Sequence, residues 1–250
     1  MGLIQTATQV NVAASGTTAP SIVLTSAVAG NTILAFASIW HGGLAWTYTN
    51  TTDGGNTFTS LAATATNPGT DQSRAIGSVA FNITGGSRTV AFNLSGVTSL
   101  YYVLGCLEWS ALASVDVSAA TSNIDMTSLD SSAGPITTTD AGDVLIGVAT
   151  LDTGDTTINF ASPTSWTNSY RHDSNIYIGM DAGYWVPGSI QTTYTAQWAH
   201  DNTAGDWGGG VVMALKPAAG GPSAGTDTAT AGLSESLNTV SVTLSIQESG

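Results

Sequence analysis

Two segments set 112 residues apart carry nearly the same pattern. Ala29-Gly30-Asn31-Thr32-Ile33-Leu34-Ala35-Phe36-Ala37 is answered by Ala141-Gly142-Asp143-Val144-Leu145-Ile146-Gly147-Val148-Ala149. In each, a polar turn feeds a run of apolar and β-branched residues. The match extends outward, with residues 75–77 set against 177–179 and residues 101–109 against 208–216. A duplication this long is a structural unit, and an apolar strand of this kind must be covered by other elements.

Around the duplicated strand the dominant period is two. Residues 74–83, 88–94, 143–151 and 176–186 combine alternation with Val, Ile, Phe, Tyr and Thr, the mark of strands with a buried face. Turn signals separate them: Asp53-Gly54-Gly55-Asn56, Asn67-Pro68-Gly69, Gly85-Gly86-Ser87 and Pro187-Gly188. Residues 111–129 are rich in Ala and Ser but lack the i, i+3, i+4 apolar stripe of a helix. The pattern predicts an all-β chain. Its economical form is one antiparallel β-sandwich over residues 1–217, built from two pseudo-repeated halves at about 15–112 and 130–217, with the stretch from Ala111 to Gly134 as the crossover; two separate small sandwiches are the alternative. Residues 218–225, Ala-Ala-Gly-Gly-Pro-Ser-Ala-Gly, read as a linker. Beyond them, residues 226–250 alternate again through Val240, Val242, Leu244 and Ile246, a strand-like extension that cannot bury itself.

Charge narrows the partners. Only 8% of residues are charged, against about 25% in an ordinary domain, and four Lys and Arg stand against 17 Asp and Glu for a net charge of −13. Binding to nucleic acid or to an anionic membrane rests on Lys and Arg, so both are excluded as expected partners. Met1 is followed by no basic stretch and no long apolar core, so the expectation is a chain made in a cytoplasm without a signal peptide. The single cysteine, Cys106, lies in an apolar run and reads as a buried thiol.

No residue pattern selects a catalytic centre. Glu108 is the first glutamate and precedes Glu235, but the spacing gives it no carboxylate partner of the kind glycoside hydrolysis requires. Nucleophile elbows, phosphate loops and His-Glu-x-x-His helices are absent, and the expectation is a protein that is not an enzyme. His41, His172 and His200 lack metal-ligand spacing, and His41 and His200, each just past a tryptophan-bearing strand, read as solvated loop positions. Asp140 with Asp143, Asp152 with Asp155, and the loop from His200 to Asp206 supply oxygens of the kind calcium takes, yet Asp and Asn are also ordinary turn residues. No cofactor is expected. Tryptophan offers the clearest ligand candidates: Trp46 and Trp207 fall at predicted strand ends or loops, where an exposed ring could anchor a protein interface or stack on a sugar.

The strand patterns around Ala29–Leu34, Glu108-Trp109-Ser110-Ala111-Leu112 with Asp116, Ile136-Thr137-Thr138-Thr139 leading into Ala141–Gly147, and the closing Val211-Val212-Met213-Ala214-Leu215-Lys216-Pro217 resemble jelly-roll-like β-sandwich domains. Such domains occur in tailed-phage virion proteins and bacterial surface proteins. The resemblance covers about residues 15–217. It implies a structural virion protein, head-decorating or tail- or fibre-associated, that joins other virion subunits as a homo-oligomer. The alternative is a carbohydrate-binding or host-adhesion module that takes a cell-surface glycan. The extension through Val240, Val242, Leu244 and Ile246 is the expected assembly strand.

Overall fold

The computed structural model describes residues 1–42, 46–64, 71–97, 99–126, 131–152, 158–162, 166–172, 178–200 and 206–219. Among them the regular elements are strands, and every recorded pairing is antiparallel. The first half contributes β1 (Gly2–Ser15), β2 (Ser21–Ala27), β3 (Thr32–Gly42), β4 (Thr47–Thr52), β5 (Thr59–Thr64), β6 (Asp71–Ala80), β7 (Gly86–Ser95) and β8 (Leu100–Ser110). The second contributes β9 (Leu112–Met126), β10 (Ser131–Ile136), β11 (Val144–Asp152), β12 (Ile158–Ser162), β13 (Thr167–His172), β14 (Ile178–Trp185), β15 (Tyr194–His200) and β16 (Asp206–Pro217).

The expected antiparallel sandwich is present, with four layers where a single sandwich has two. The first half folds into sheets ordered β1-β8-β3-β6-β5 and β2-β7-β4. The second gives β9-β16-β11-β14-β13 and β10-β15-β12, the same orders with every index raised by eight. Three cores separate the layers. Ile33, Ala35, Ala37 and Ile39 of β3 face the three-stranded sheet through Ile22, Leu24, Val90 and Phe92. Leu34 and Phe36, on the other face of β3, meet Val144, Ile146 and Val148 of β11 in the middle core. Leu145, Ala149 and Leu151 of β11 then face Ala196 and Trp198 of the last sheet.

This layering explains the composition of the strands. β3 and β11 are covered on both sides, so they read as nearly unbroken apolar runs. β7 belongs to an outer layer and alternates: Val90, Phe92 and Leu94 are buried, while Ser87, Thr89 and Ser95 are exposed. The two central sheets approach closely at Gly77, where an added Cβ would lie 2.8 Å from Met213 and 2.9 Å from Val211.

The pairing corrects parts of the sequence comparison. Thr32 is opposite Trp109 and Val144 is opposite Leu215, so the counterpart of Trp109 is Leu215 and not Lys216. Ser38 faces Ala75 and Thr150 faces Met180, which moves the counterpart of residues 75–77 to 180–182. A one-residue slip exchanges the two faces of a strand, and where both faces are apolar the pattern carries no mark of it. The expected crossover from Ala111 to Gly134 is largely strand: Leu112–Met126 forms β9, and the link between the halves shrinks to Ala111. Edge position accounts for the weak signal, because Ser, Thr and Ala on β9 have little apolar surface to cover.

Candidate assembly edge

The sequence candidates fall in different places. Trp46 is a core residue, 1% exposed, which corrects the expectation of an open ring at a strand end. The Arg74 guanidinium lies over its ring, 4.3 Å from the centroid, and Arg74 Nη2 donates to the Trp46 carbonyl at 2.6 Å, so one face of the indole is covered. Trp207 is the second residue of β16, its backbone opposite Asp152; its side chain lies outside what is described. Val240, Val242, Leu244 and Ile246 also lie outside the described residues, as do Asp155 and Asp201. His41 is a buried residue of β3 and not a solvated loop position, because β3 runs past it to Gly42. Cys106 is buried, and burial pushes its thiol well above the usual range.

The carboxylates serve as latches at one end of each half. Glu108, fully buried, accepts from Gln5 Nε2 at 2.5 Å, Val28 N at 2.8 Å and Asn31 Nδ2 at 2.6 Å. In the second half Asp116 accepts from the Thr139 amide at 2.6 Å and hydroxyl at 2.7 Å, and pairs with Lys216 at 3.2 Å. Asp143, buried beside it, takes the position of Asn31. Burial, then the hydrogen bond and the charge of Asp116, push the Asp143 carboxyl up to about 7. Against the opposing effect of burial, bonds from Thr139, Asp143 and Lys216 hold Asp116 down to about 2. Among the described residues no cluster of three or more His, Cys, Asp or Glu side chains is arranged to hold a metal ion.

The edge that stands out is β1. It is the terminal strand of its sheet, among the described residues it pairs with β8 alone, and at 14 residues it is long for an edge. A free edge offers a row of backbone N–H and C=O groups, which proteins usually protect with charge, proline or cover. β1 has neither charge nor proline, and residues 1–52 contain no Asp, Glu, Lys or Arg at all. Its counterpart β9 shows the contrast. Both strands bulge at the same place, one residue being extra between Leu3 and Gln5 in β1 and between Val115 and Val117 in β9. The extra residue of β9 is Asp116, latched to Lys216; that of β1 is Ile4, 52% exposed.

Packing differs in the same direction. β5 lies against β9, whereas its counterpart β13 packs on β8. Leu3, Thr6, Thr8 and Val10 share the face of Trp109, Leu107, Gly105 and Val103, opposite which they pair, and all four are exposed. Of the six large apolar side chains exposed among the described residues, Leu3, Ile4, Val10, Val23 and Val28 lie on β1, β2 or the turn that follows; the sixth is Ile190. Exposed apolar surface gathered on one uncharged edge marks a contact surface. The sequence signal that marks β1 is the charge-free run of residues 1–52.

A scan against models of protein families, a search of curated proteins and a search of solved structures each return no match to this chain.

Proposed function

We propose that this chain is a structural subunit of a tailed-phage virion, built from two jelly-roll-like halves, head-decorating or tail- or fibre-associated, and acting through assembly contacts rather than catalysis. The observation that carries the assembly role is the uncovered, uncharged edge of β1 with Leu3, Ile4 and Val10 in solvent. A chain of net charge −13 repels its own copies, and association is least opposed where formal charge is missing. The strand patterns resembling phage virion domains support the setting. A sugar-binding reading draws nothing from Trp46, which is buried with Arg74 over its ring.

The test is the mass of the full-length chain in solution over a range of concentration, together with co-sedimentation with tailed-phage heads and tails. Oligomers or particle binding are expected, and Thr8→Lys should weaken either one without lowering Tm, since Thr8 is exposed. A chain that stays monomeric and ignores the particles would sink the proposal.

A further inference from the structure

We infer that in the assembled protein the free edge of β1 is occupied by the C-terminal strand, residues 239–247, of a second copy. The inference rests on the assembly reading of β1 and names what fills that edge. Its first support is where the described chain ends. Ala218 N donates to the Ala111 carbonyl at 2.9 Å, and Ala111 follows Ser110, whose Oγ accepts from Gly2 N at 3.0 Å. The tail therefore departs beside the Gly2 end of β1.

The second support is chemistry and length. Thirty-one residues, 220–250, follow the described part. Within them Val240, Val242, Leu244 and Ile246 alternate with Ser241, Thr243 and Ser245, and no charge occurs between Glu235 and Glu248. Nine residues in extended form cover about 30 Å and β1 covers about 46 Å, so the segment fits along the edge. An uncharged, β-branched strand matches an uncharged edge, and its apolar side chains would extend the row begun by Leu3 and Val10.

Direction selects a second copy over the same chain. A tail leaving at the Gly2 end and laid directly on its own β1 would run parallel to it, whereas every pairing among the described residues is antiparallel. To come back antiparallel it must first travel the length of β1, holding about 14 of the 19 residues 220–238 extended at an entropic cost. A two-fold axis that brings two β1 edges together removes this difficulty. Each tail runs straight from its exit, one strand out from its own β1, and meets the partner's β1 antiparallel. The order β1, partner tail, own tail, partner β1 then alternates in direction throughout and leaves no central edge.

The experiment places cysteines in the full-length chain, Thr8→Cys combined in turn with Val240→Cys, Val242→Cys, Leu244→Cys and Ile246→Cys; the native Cys106 is buried and does not compete. On oxidation a covalent dimer is expected for at least one pair. A disulfide formed within one chain, or none at any of the four positions, overturns the inference. Oligomer mass separates its failure from that of the assembly reading. Val242→Asp with Leu244→Asp should convert the oligomer to monomer, as Thr8→Lys should. If Thr8→Lys alone dissociates it, the edge is an assembly site but the tail is not its occupant. If neither does, both readings fall.

Discussion

Ser38 and Thr150 occupy the same position in the two copies of the repeated strand, 112 residues apart, and their hydroxyls hydrogen-bond to each other at the centre of the molecule. A residue meets its own counterpart only where a two-fold relation passes between them. Leu34 with Ile146, and Phe36 with Val148, are also counterparts and share the same middle core. The halves thus pack as a symmetric dimer does, although one chain encodes both.

The Ser38–Thr150 pair is fully buried, and Ser38 Oγ also donates to the Gly179 carbonyl at 2.8 Å, so Thr150 is the donor between the hydroxyls. Ser38→Ala leaves the Thr150 hydroxyl and the Gly179 carbonyl without this partner and should cost about 1–3 kcal/mol; Thr150→Val should cost about 1 kcal/mol. In urea titrations the double variant should be destabilised by less than the sum, with a coupling of about 1 kcal/mol. Strict additivity would show that the two hydroxyls do not act as a pair.

The halves are joined through Ala111, which holds φ at 57° between the end of β8 and the start of β9. A left-handed backbone costs a residue with a Cβ about 1–2 kcal/mol. Ala111→Gly relieves that cost but adds freedom to the unfolded chain, so the net gain should be about 0.5 kcal/mol. A small rise in Tm is expected, and a clear fall would contradict this account of the link.

The parts of this fold that could be read in sequence are those whose side chains alone record their surroundings. β3 and β11 stood out because burial on two faces demands an apolar residue at nearly every position. Their exact partners did not, for the same reason: Leu34 and Ala35 face different cores yet are equally apolar. β9 went unread because an edge strand covers little. Trp46 looked like a loop aromatic because the residue that covers one face of it, Arg74, is 28 positions away. The Glu108 latch was equally hidden, since Gln5 lies 103 positions away on β1 and Val28 and Asn31 lie about 80 positions away in the turn before β3.

Glu108 ties β1 to the turn before β3. Its removal leaves the Gln5 and Asn31 amides and the Val28 N–H without this acceptor, so Glu108→Ala should cost about 2–4 kcal/mol. Glu108→Gln places an NH2 among donors and should recover only part of that loss. Hydrogen exchange would separate local from global effects: amides of β1 paired with β8 should exchange faster in both variants than those of β16. Equal acceleration everywhere would mean that the latch carries no special burden at the β1 edge.

The second half rebuilds the same corner with a titrating group. Asn31 donates its amide to Glu108 at any pH, whereas Asp143, at the matching position, can donate to Asp116 only while it keeps its proton. Its carboxyl is raised to about 7 from an ordinary 3.8, so the folded state binds this proton more tightly than the unfolded chain. Stability from Asp143 is full below about pH 4, declines as pH rises from 4 to 7, and is level above. Asp116, held down to about 2, acts in the opposite sense and is lost as pH falls from about 4 towards 2. Stability from these two groups should therefore peak near pH 4. Asp143→Asn installs a permanent donor like Asn31. At pH 8 it should raise Tm by roughly 2–4 °C, about 1 kcal/mol, and at pH 4.5 it should change little. A Tm gain of equal size at both values would show that the proton on Asp143 is not what the corner depends on.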